Sequence, residues 1–364
     1  MKKIPLHGGD LVAASERYGI AVEQWIDLST GLNPRPYPVG ELAADVFSAL
    51  PYLRPAFLQQ AERYYQQADF LAIAGTQQVI QLLPECLPPL PFLVPQYGYR
   101  EYADCWLRAG RQLDFYPSLC KQEAEQAIDH ALATNNARHL LLINPNNPTG
   151  LKFSTQQILK WAQCLCENAY LIVDEAFMDV TPEQSLLTVE LPNNVVVLRS
   201  FGKFFGLAGV RLGFVFAHHS MLARLSQGCG LWHINGPAQA IAIKALADRD
   251  WQVQTRQWLL QSSRLTQSLF APLFAKHAVR TVSTALFFSV VLEKQFAVGV
   301  YDFFASRGLL LRLHPLDGPN KLLRIGLIDG DNHPQVARVK LLVEQCVAAA
   351  LDKTITKIDH ADAR

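Results

Sequence analysis

The chain has 364 residues, of which half are hydrophobic and 18% are charged, and its formal net charge is +1. This length exceeds the size at which one hydrophobic core usually stops growing, so two domains are expected. The charge is nearly balanced and no Lys/Arg block stands out, so nothing supports a nucleic-acid or anionic-membrane partner.

The N-terminus does not resemble a targeting segment. Met1, Lys2 and Lys3 begin the chain, but Pro5 and polar residues follow where a signal peptide needs an apolar stretch. The best apolar run, residues 285–292, is far shorter than the roughly 18 residues that a transmembrane helix requires. We therefore expect a cytoplasmic protein.

The seven cysteines do not predict a disulfide framework, because their number is odd and they are scattered. Cys164 and Cys166 form the only close pair, within a segment of helical periodicity. No second Cys/His pair at ligand spacing accompanies them, so no metal site is expected.

Short apolar, β-branched runs alternate with helical patterns through the middle of the chain. The runs are residues 92–94, 140–143, 171–173 and 195–198, and helical patterns cover residues 99–109 and 155–167. Strands that alternate with helices predict an α/β fold with a mostly parallel sheet, covered by helices on both faces.

The C-terminal third has a different character. Residues 287–292, 309–313 and 322–327 resemble strands, and residues 294–306 and 335–351 resemble helices. This pattern predicts a smaller α+β domain. The expected large domain covers residues 41–265, and residues 1–40 with 266–364 form the small domain and an N-terminal arm.

Polar residues follow three of the predicted strands where each strand ends. These segments are residues 144–150, Asp174 with Glu175, and residues 200–203. In sheets of this kind ligands bind at the carboxyl ends of strands. The coincidence is the first indication of a functional site.

Lys203 follows a buried strand and has small and aromatic neighbours. Desolvation at such a place lowers the pKa of a lysine and makes its amine nucleophilic, as Schiff-base formation requires. Ser200 and Arg211 lie three residues before it and eight after it, and they could bind one phosphate. The alternative is an exposed lysine in a Gly-rich loop, which this spacing disfavours.

Asp174 ends an apolar strand. Its carboxylate could pair with a protonated pyridine nitrogen and so keep a ring electron-poor. The alternatives are a helix cap or a Mg²⁺ ligand in a nucleotide site, but no Walker-type glycine loop exists in the sequence. We favour the pyridine partner.

Four further residues are weaker candidates when each is taken alone. Asn147 belongs to a turn at a strand end, where its amide could reach a phenolic oxygen. Gly75 and Thr76 begin a helical pattern and could bind an anion, although an ordinary helix start looks the same. Tyr97 could stack on a ring or be a packed core tyrosine.

Taken together, these motifs resemble a known family. Residues 144–150, 173–177 and 200–213 resemble fold-type I pyridoxal-5'-phosphate (PLP) enzymes of the histidinol-phosphate aminotransferase branch, in matching order over nearly the whole chain. Residues 7–10 and 25–34 are similar to the L-threonine-O-3-phosphate decarboxylases of cobalamin biosynthesis.

The resemblance implies a role for each matching residue. Lys203 would be the Schiff-base lysine, and Asp174 the partner of the ring nitrogen. Asn147 would contact O3', and Tyr97 would stack on the ring. The implied phosphate ligands of the cofactor are Gly75, Thr76, Ser200 and Arg211.

The substrate residues are also implied by the resemblance. Arg324 would bind the substrate carboxylate, and Arg312 matches an arginine kept by members with phosphorylated substrates. His7, Gly8 and Asn33 would close over the substrate. Arg312 could instead be a surface strand residue, and His7 could belong to an unstructured tail.

Two positions depart from the family pattern. Phe177 stands where aminotransferases often have a tyrosine that hydrogen-bonds O3', so Asn147 would act alone. Leu50 stands where related enzymes often have a tyrosine that reaches the neighbouring subunit's phosphate.

The expected activity is PLP-dependent decarboxylation of L-threonine-O-3-phosphate in a homodimer. One alternative is a histidinol-phosphate-type aminotransferase, because the cofactor motifs do not specify which bond breaks. Another is a catalytically silent PLP-binding module of a regulator, which the presence of Lys203 and Asp174 disfavours.

Overall fold

The computed structural model describes residues 8–351 of the chain. The chain divides into two compact units, Arg35–Arg256 and Met1–Pro34 with Gln257–Arg364. Within the described residues, no helix combines the length and the apolarity needed to span a bilayer. The seven cysteines are free thiols.

The helices are defined here in chain order. They are α1 (Leu11–Tyr18), α2 (Asp45–Ser48), α3 (Pro55–Tyr65), α4 (Thr76–Cys86), α5 (Glu101–Arg108), α6 (Lys121–Thr134), α7 (Thr155–Cys164), α8 (Phe201–Phe204), α9 (His219–Cys229), α10 (Gly236–Ala247), α11 (Arg249–Phe274), α12 (Lys294–Ala305) and α13 (His333–Leu351).

The strands follow the same convention. They are β1 (Ile26–Asp27), β2 (Phe70–Ile73), β3 (Phe92–Pro95), β4 (Leu113–Tyr116), β5 (His139–Ile143), β6 (Leu171–Asp174), β7 (Val195–Ser200), β8 (Gly213–Ala217), β9 (Arg280–Ser283), β10 (Phe287–Glu293), β11 (Leu309–Leu310), β12 (Arg312–Pro315) and β13 (Asn320–Gly326).

The larger unit contains a seven-stranded sheet of order β2-β8-β7-β6-β5-β3-β4. The five strands β3, β4, β5, β6 and β7 run parallel to one another. β8 is antiparallel to both of its neighbours, β2 and β7. β5, β6 and β7 are buried along their whole length, as their continuous apolar sequences require. The register pairs Ile143 with Asp174 and Asp174 with Leu198, so the carboxyl ends of these strands lie side by side.

The smaller unit contains an antiparallel four-stranded sheet of order β12-β13-β10-β9 and a parallel pair, β1 with β11. One face of the four-stranded sheet packs in a hydrophobic core together with α12 and α13. Its residues include Phe288, Val290, Leu313, Leu323 and Ile325. The alternate positions on the same strands point to the opposite face.

The predicted α/β fold with a mostly parallel sheet is confirmed, and so is a second region of α+β character. Five strands were not predicted, namely β1, β2, β4, β8 and β9. The predicted strand at 309–313 is two strands, because β11 pairs with β1 whereas β12 pairs with β13.

Candidate functional site

A cavity of about 130 Å³ lies in the larger unit where the central strands end. The last residues of β5, β6 and β7, which are Ile143, Asp174 and Ser200, line it. The other lining residues are Gly75, Thr76, Gln77, Tyr99, Asn147, Ala176, Phe177, Gly202, Lys203, Ala208, Arg211 and Leu212. The cavity therefore lies at the carboxyl ends of the central strands, where ligands bind in sheets of this kind.

The cavity brings together all but one of the residues predicted to bind the cofactor. Tyr97 is the exception: it is half-buried and is not among the lining residues. Its backbone is held firmly, because its N–H donates to Ser118 Oγ at 2.9 Å and its carbonyl accepts from Asn146 Nδ2 at 2.7 Å. Its stacking role remains a prediction.

Asp174 is buried and well supplied with hydrogen-bond donors. Its two carboxylate oxygens accept from the Ala176 N–H and from the Tyr102 hydroxyl, each at 2.9 Å. Burial raises the pKa of this carboxyl, whereas both donors and the positive charge of Lys203 act to lower it. These two donors leave the buried carboxylate acceptor capacity for a further partner in the cavity.

Tyr102 and Tyr99 were missed by the sequence analysis. Tyr102 lies on α5 and donates to Asp174 from 72 residues away in the sequence. Tyr99 lines the cavity and donates to Gln77 Oε1 at 3.0 Å, and burial raises its pKa to about 12. No motif identifies either residue, although both fall on the segment that follows β3.

Lys203 lies on α8, a single helical turn that begins directly after β7. The turn is packed tightly, since a Cβ at Gly202 would lie 2.8 Å from Ala208 Cα. Lys203 is half-buried, and its Nζ lies 5.6 Å from the ring centroid of Phe177. The alternative of a solvent-exposed lysine is therefore wrong, and the departure at Phe177 places an apolar ring beside the amine.

One part of the cavity wall is suited to an anion. Gly75 precedes α4 with φ of 80°, a conformation that favours glycine, and a Cβ there would lie 2.9 Å from Arg211 Nη2. The first N–H groups of α4 have no partner within the helix and attract negative charge. Thr76, Ser200 and Arg211 line the same cavity, so side-chain donors accompany the helix terminus.

A buried cluster of charged residues includes the sequence neighbours of two site residues, Asp174 and Ser200. Arg199, which precedes Ser200, pairs with Glu175 at 3.0 Å and with Asp179. Burial raises the pKa of Glu175. Burial acts to lower the pKa of Arg199, but the negative charges of Asp179 and Glu175 together outweigh burial, so the pKa of the arginine is raised. The cluster joins the end of β6 to the end of β7 through charge-assisted hydrogen bonds.

The loop at 144–150 is fixed by its asparagines. Asn144 Oδ1 accepts from the Phe153 N–H at 2.8 Å, and its Nδ2 donates to the Phe153 carbonyl. Asn146 donates to Thr149 Oγ1 at 2.7 Å. Because the two flanking asparagines brace the loop, Asn147 is held at the wall of the cavity.

The predicted substrate residues belong to the smaller unit. Arg324 is buried and donates from Nη2 to the Ser29 carbonyl. Gly8 packs against that same carbonyl, since a Cβ there would lie 2.3 Å from Ser29 O. Arg312 is half-buried on β12, opposite Arg324, and Asn33 is buried. His7 lies outside the described residues.

The larger unit thus carries an amine, a buried carboxylate and an anion site around one cavity. An amine can form a covalent bond to an aldehyde, a carboxylate can hold a ring nitrogen protonated, and the anion site can hold a phosphate. These three functions are the ones that PLP requires of a protein.

Comparison with known proteins agrees with this geometry. The family model of aminotransferase class I and II matches residues 44–304. Threonine-phosphate decarboxylase of Pseudomonas aeruginosa is 36% identical over 307 residues, which cover 84% of this chain and 88% of that protein. A threonine-phosphate decarboxylase of a Sinorhizobium species is 37% identical over 254 residues, covering 67% of this chain and 72% of the relative.

Solved structures show the same fold. The histidinol-phosphate aminotransferase of Sinorhizobium meliloti, solved in complex with pyridoxal-5'-phosphate, has a TM-score of 0.78. It is 19% identical, and the alignment covers 95% of this chain and all of that one. The predicted resemblance to the threonine-phosphate decarboxylases is confirmed by the two relatives above.

Proposed function

We propose that this chain, which belongs to the aminotransferase class I and II family, is a PLP-dependent decarboxylase of L-threonine O-3-phosphate. Its products would be (R)-1-amino-2-propanol O-2-phosphate and CO₂, and its pathway the biosynthesis of cobalamin. The observation that carries the cofactor assignment is the single cavity lined by Lys203, Asp174 and Arg211. The substrate assignment rests on the similarity to threonine-phosphate decarboxylases.

The residues of the cavity suit PLP in chemical type. Lys203 would attach the cofactor, and Asp174 would pair with its ring nitrogen. Asn147 would contact O3', with Tyr97 against the ring. The phosphate would be held by Gly75, Thr76, Ser200 and Arg211. When bound, PLP supplies an electron sink for the pair left behind when a bond at Cα breaks.

Two side chains would control protons during the reaction. Asp174 has to remain ionised to hold the ring nitrogen protonated, and Tyr102 and the Ala176 N–H stabilise its charged form. Lys203, once its amine is released, can deliver a proton to Cα after the carboxylate has left.

The choice of bond depends on how the substrate is oriented. Arg324 would bind the carboxylate and Arg312 the phosphate, with His7, Gly8 and Asn33 closing over the substrate. Binding of the remote phosphate group provides free energy that can fix the rotation about the bond between Cα and the amino nitrogen. This rotation decides which of the other bonds at Cα breaks. A decarboxylase and an aminotransferase would thus share the cofactor residues and differ in these contacts.

A homodimer is part of the proposal. Apolar side chains are exposed on the larger unit, and two segments that carry them meet where the Tyr52 and Trp232 rings lie 6.0 Å apart. This apolar patch consists of Phe47, Leu50, Tyr52, Leu231 and Trp232. Monomers rarely leave such a surface uncovered, so a second copy of the chain is the proposed partner.

Release of CO₂ tests the reaction. Holoenzyme incubated with L-threonine O-3-phosphate and no 2-oxo acid should release CO₂ in step with loss of substrate. Transfer of the amino group to 2-oxoglutarate, with no CO₂ released, would instead identify an aminotransferase and refute the proposed activity.

A further inference from the structure

One face of the four-stranded sheet of the smaller unit carries a cluster of basic side chains. Arg312 on β12 lies directly opposite Arg324 on β13. Residues opposite each other on paired strands share a face, and so do residues two apart on one strand. His314 therefore lies on the face that carries both arginines, while Leu313 between them belongs to the hydrophobic core.

The electrostatics of this face favour an anion. Burial and then Arg312 lower the pKa of Arg324 to about 10, and burial lowers the pKa of Arg312. Asp27 acts to raise the pKa of Arg324, and Tyr301 acts to raise the pKa of Arg312. The Asp27 carboxylate already accepts two hydrogen bonds from Ser29. Strand positions beside the arginines carry Ser289 and Leu322 instead of an acid.

His314 is kept neutral in this setting. Burial, followed by the charges of Arg324 and Arg312, holds the pKa of its imidazole well below the ordinary value. A neutral imidazole carries one N–H donor. It can therefore donate a hydrogen bond to an anion without adding a third positive charge to the face.

The ring nitrogen Nε2 of His314 is the feature that points to a ligand. This atom is buried, and among residues 8–351 it has no hydrogen-bond partner. A buried polar atom without a partner costs free energy, so native structures seldom keep one without a reason. A ligand oxygen at this place would satisfy it.

We propose that His314 is a specificity-determining residue whose Nε2–H donates to the phosphate of the substrate, beside the guanidinium of Arg312. This inference rests on the proposed function, because it takes a phosphorylated amino acid as the substrate. A phosphate offers three terminal oxygens, and a guanidinium fork pairs with two of them. His314, two residues beyond Arg312 on the same strand, supplies the donor for the third.

The test compares His314→Leu, which removes the donor, with His314→Gln, which keeps one. In the holoenzyme, we expect His314→Leu to weaken binding of inorganic phosphate, measured by titration calorimetry, about tenfold, as loss of a hydrogen bond to a charged group implies. The kcat/KM for L-threonine O-3-phosphate should fall by a similar factor, because the lost contact also helps to orient the substrate for reaction. His314→Gln should recover most of both losses.

A matched control is His333→Leu, which changes an exposed histidine of the same unit. It should leave both constants at the wild-type values. The inference is refuted if His314→Leu binds phosphate as tightly as wild type, or if His314→Gln is as impaired as His314→Leu. Because phosphate binding is measured without turnover, this result is independent of whether wild type releases CO₂, which tests the proposed function alone.

Discussion

Asp174 illustrates which features of a site can be predicted from the sequence. Its place at the end of an apolar strand identified it as a candidate, since the strand and its termination are local properties. The Tyr102 hydroxyl that stabilises its charge comes from α5, on a segment with no motif. Such a partner depends on how helix and sheet pack, which a single sequence does not specify.

The same distinction applies to His314 and Phe177. Phe177 was identified as a departure because a motif surrounds it, and the structure places its ring beside Lys203. His314 belongs to no motif. Its alignment with Arg312 and Arg324 depends on the register of β12 with β13, which becomes known only from the strand pairing.

Tyr102→Phe should make the activity more sensitive to acid. Loss of the hydroxyl removes a donor to the ionised carboxyl, so the pKa of Asp174 rises further above its ordinary value. The acid limb of the kcat profile then moves to higher pH. A hydrogen bond to a charged group is worth about 1.5 kcal/mol, which corresponds to about tenfold lower activity on that limb.

A pH–rate profile of wild type and Tyr102→Phe checks this expectation. Tyr99→Phe is the control, because its hydroxyl contacts Gln77. An unchanged acid limb in Tyr102→Phe would show that the hydrogen bond to Asp174 does not influence the ionisation that limits turnover.

At the level of secondary structure, the central strands were predictable because they are fully buried and continuously apolar. β8 was missed because it follows closely after the segment that carries Lys203, with no long helix between β7 and β8. It runs antiparallel to β7, whereas the predicted pattern was of parallel strands separated by helices. β4 was missed because it lies at the edge of the sheet and is only partly buried. A strand that is buried on both faces has a continuous apolar sequence, and this is what allows it to be predicted.

The ion cluster of Arg199, Glu175 and Asp179 connects the elements that carry Asp174 and Ser200. Arg199→Met should destabilise the fold by about 3–5 kcal/mol, because two buried carboxylates lose their counter-charge. Urea denaturation of the holoenzyme measures the difference.

Arg100→Met is the matched control, since Arg100 pairs with Asp104 at 3.1 Å in an exposed i,i+4 arrangement. Its loss should cost no more than about 0.5 kcal/mol. Equal stability of Arg199→Met and Arg100→Met would contradict the structural role of the buried cluster.

At the scale of the whole chain, composition and length predicted two domains. The contacts divide the chain after Pro34 and after Arg256. The sequence analysis expected boundaries after residues 40 and 265. An apolar residue on the surface, by contrast, cannot be distinguished from a core residue by its type. The apolar patch therefore became visible only in the structure.

Leu231→Glu should shift the protein from dimer to monomer, because it places a charge in the proposed interface. Leu231 is 81% exposed, and Leu107 of the same unit is 56% exposed, which makes Leu107→Glu the matched control. Light scattering coupled to size-exclusion chromatography reports the mass. If Leu231→Glu and Leu107→Glu both retain the wild-type mass, the patch is not the interface.

The covalent attachment of PLP at Lys203 is the most direct test of the account as a whole. Holoenzyme reduced with borohydride and digested should yield one peptide that carries a pyridoxyl-phosphate mass increment, and that peptide should contain Lys203. Lys203→Ala should show neither the increment nor turnover. An increment on another lysine, or normal turnover by Lys203→Ala, would contradict the assignment of the cavity.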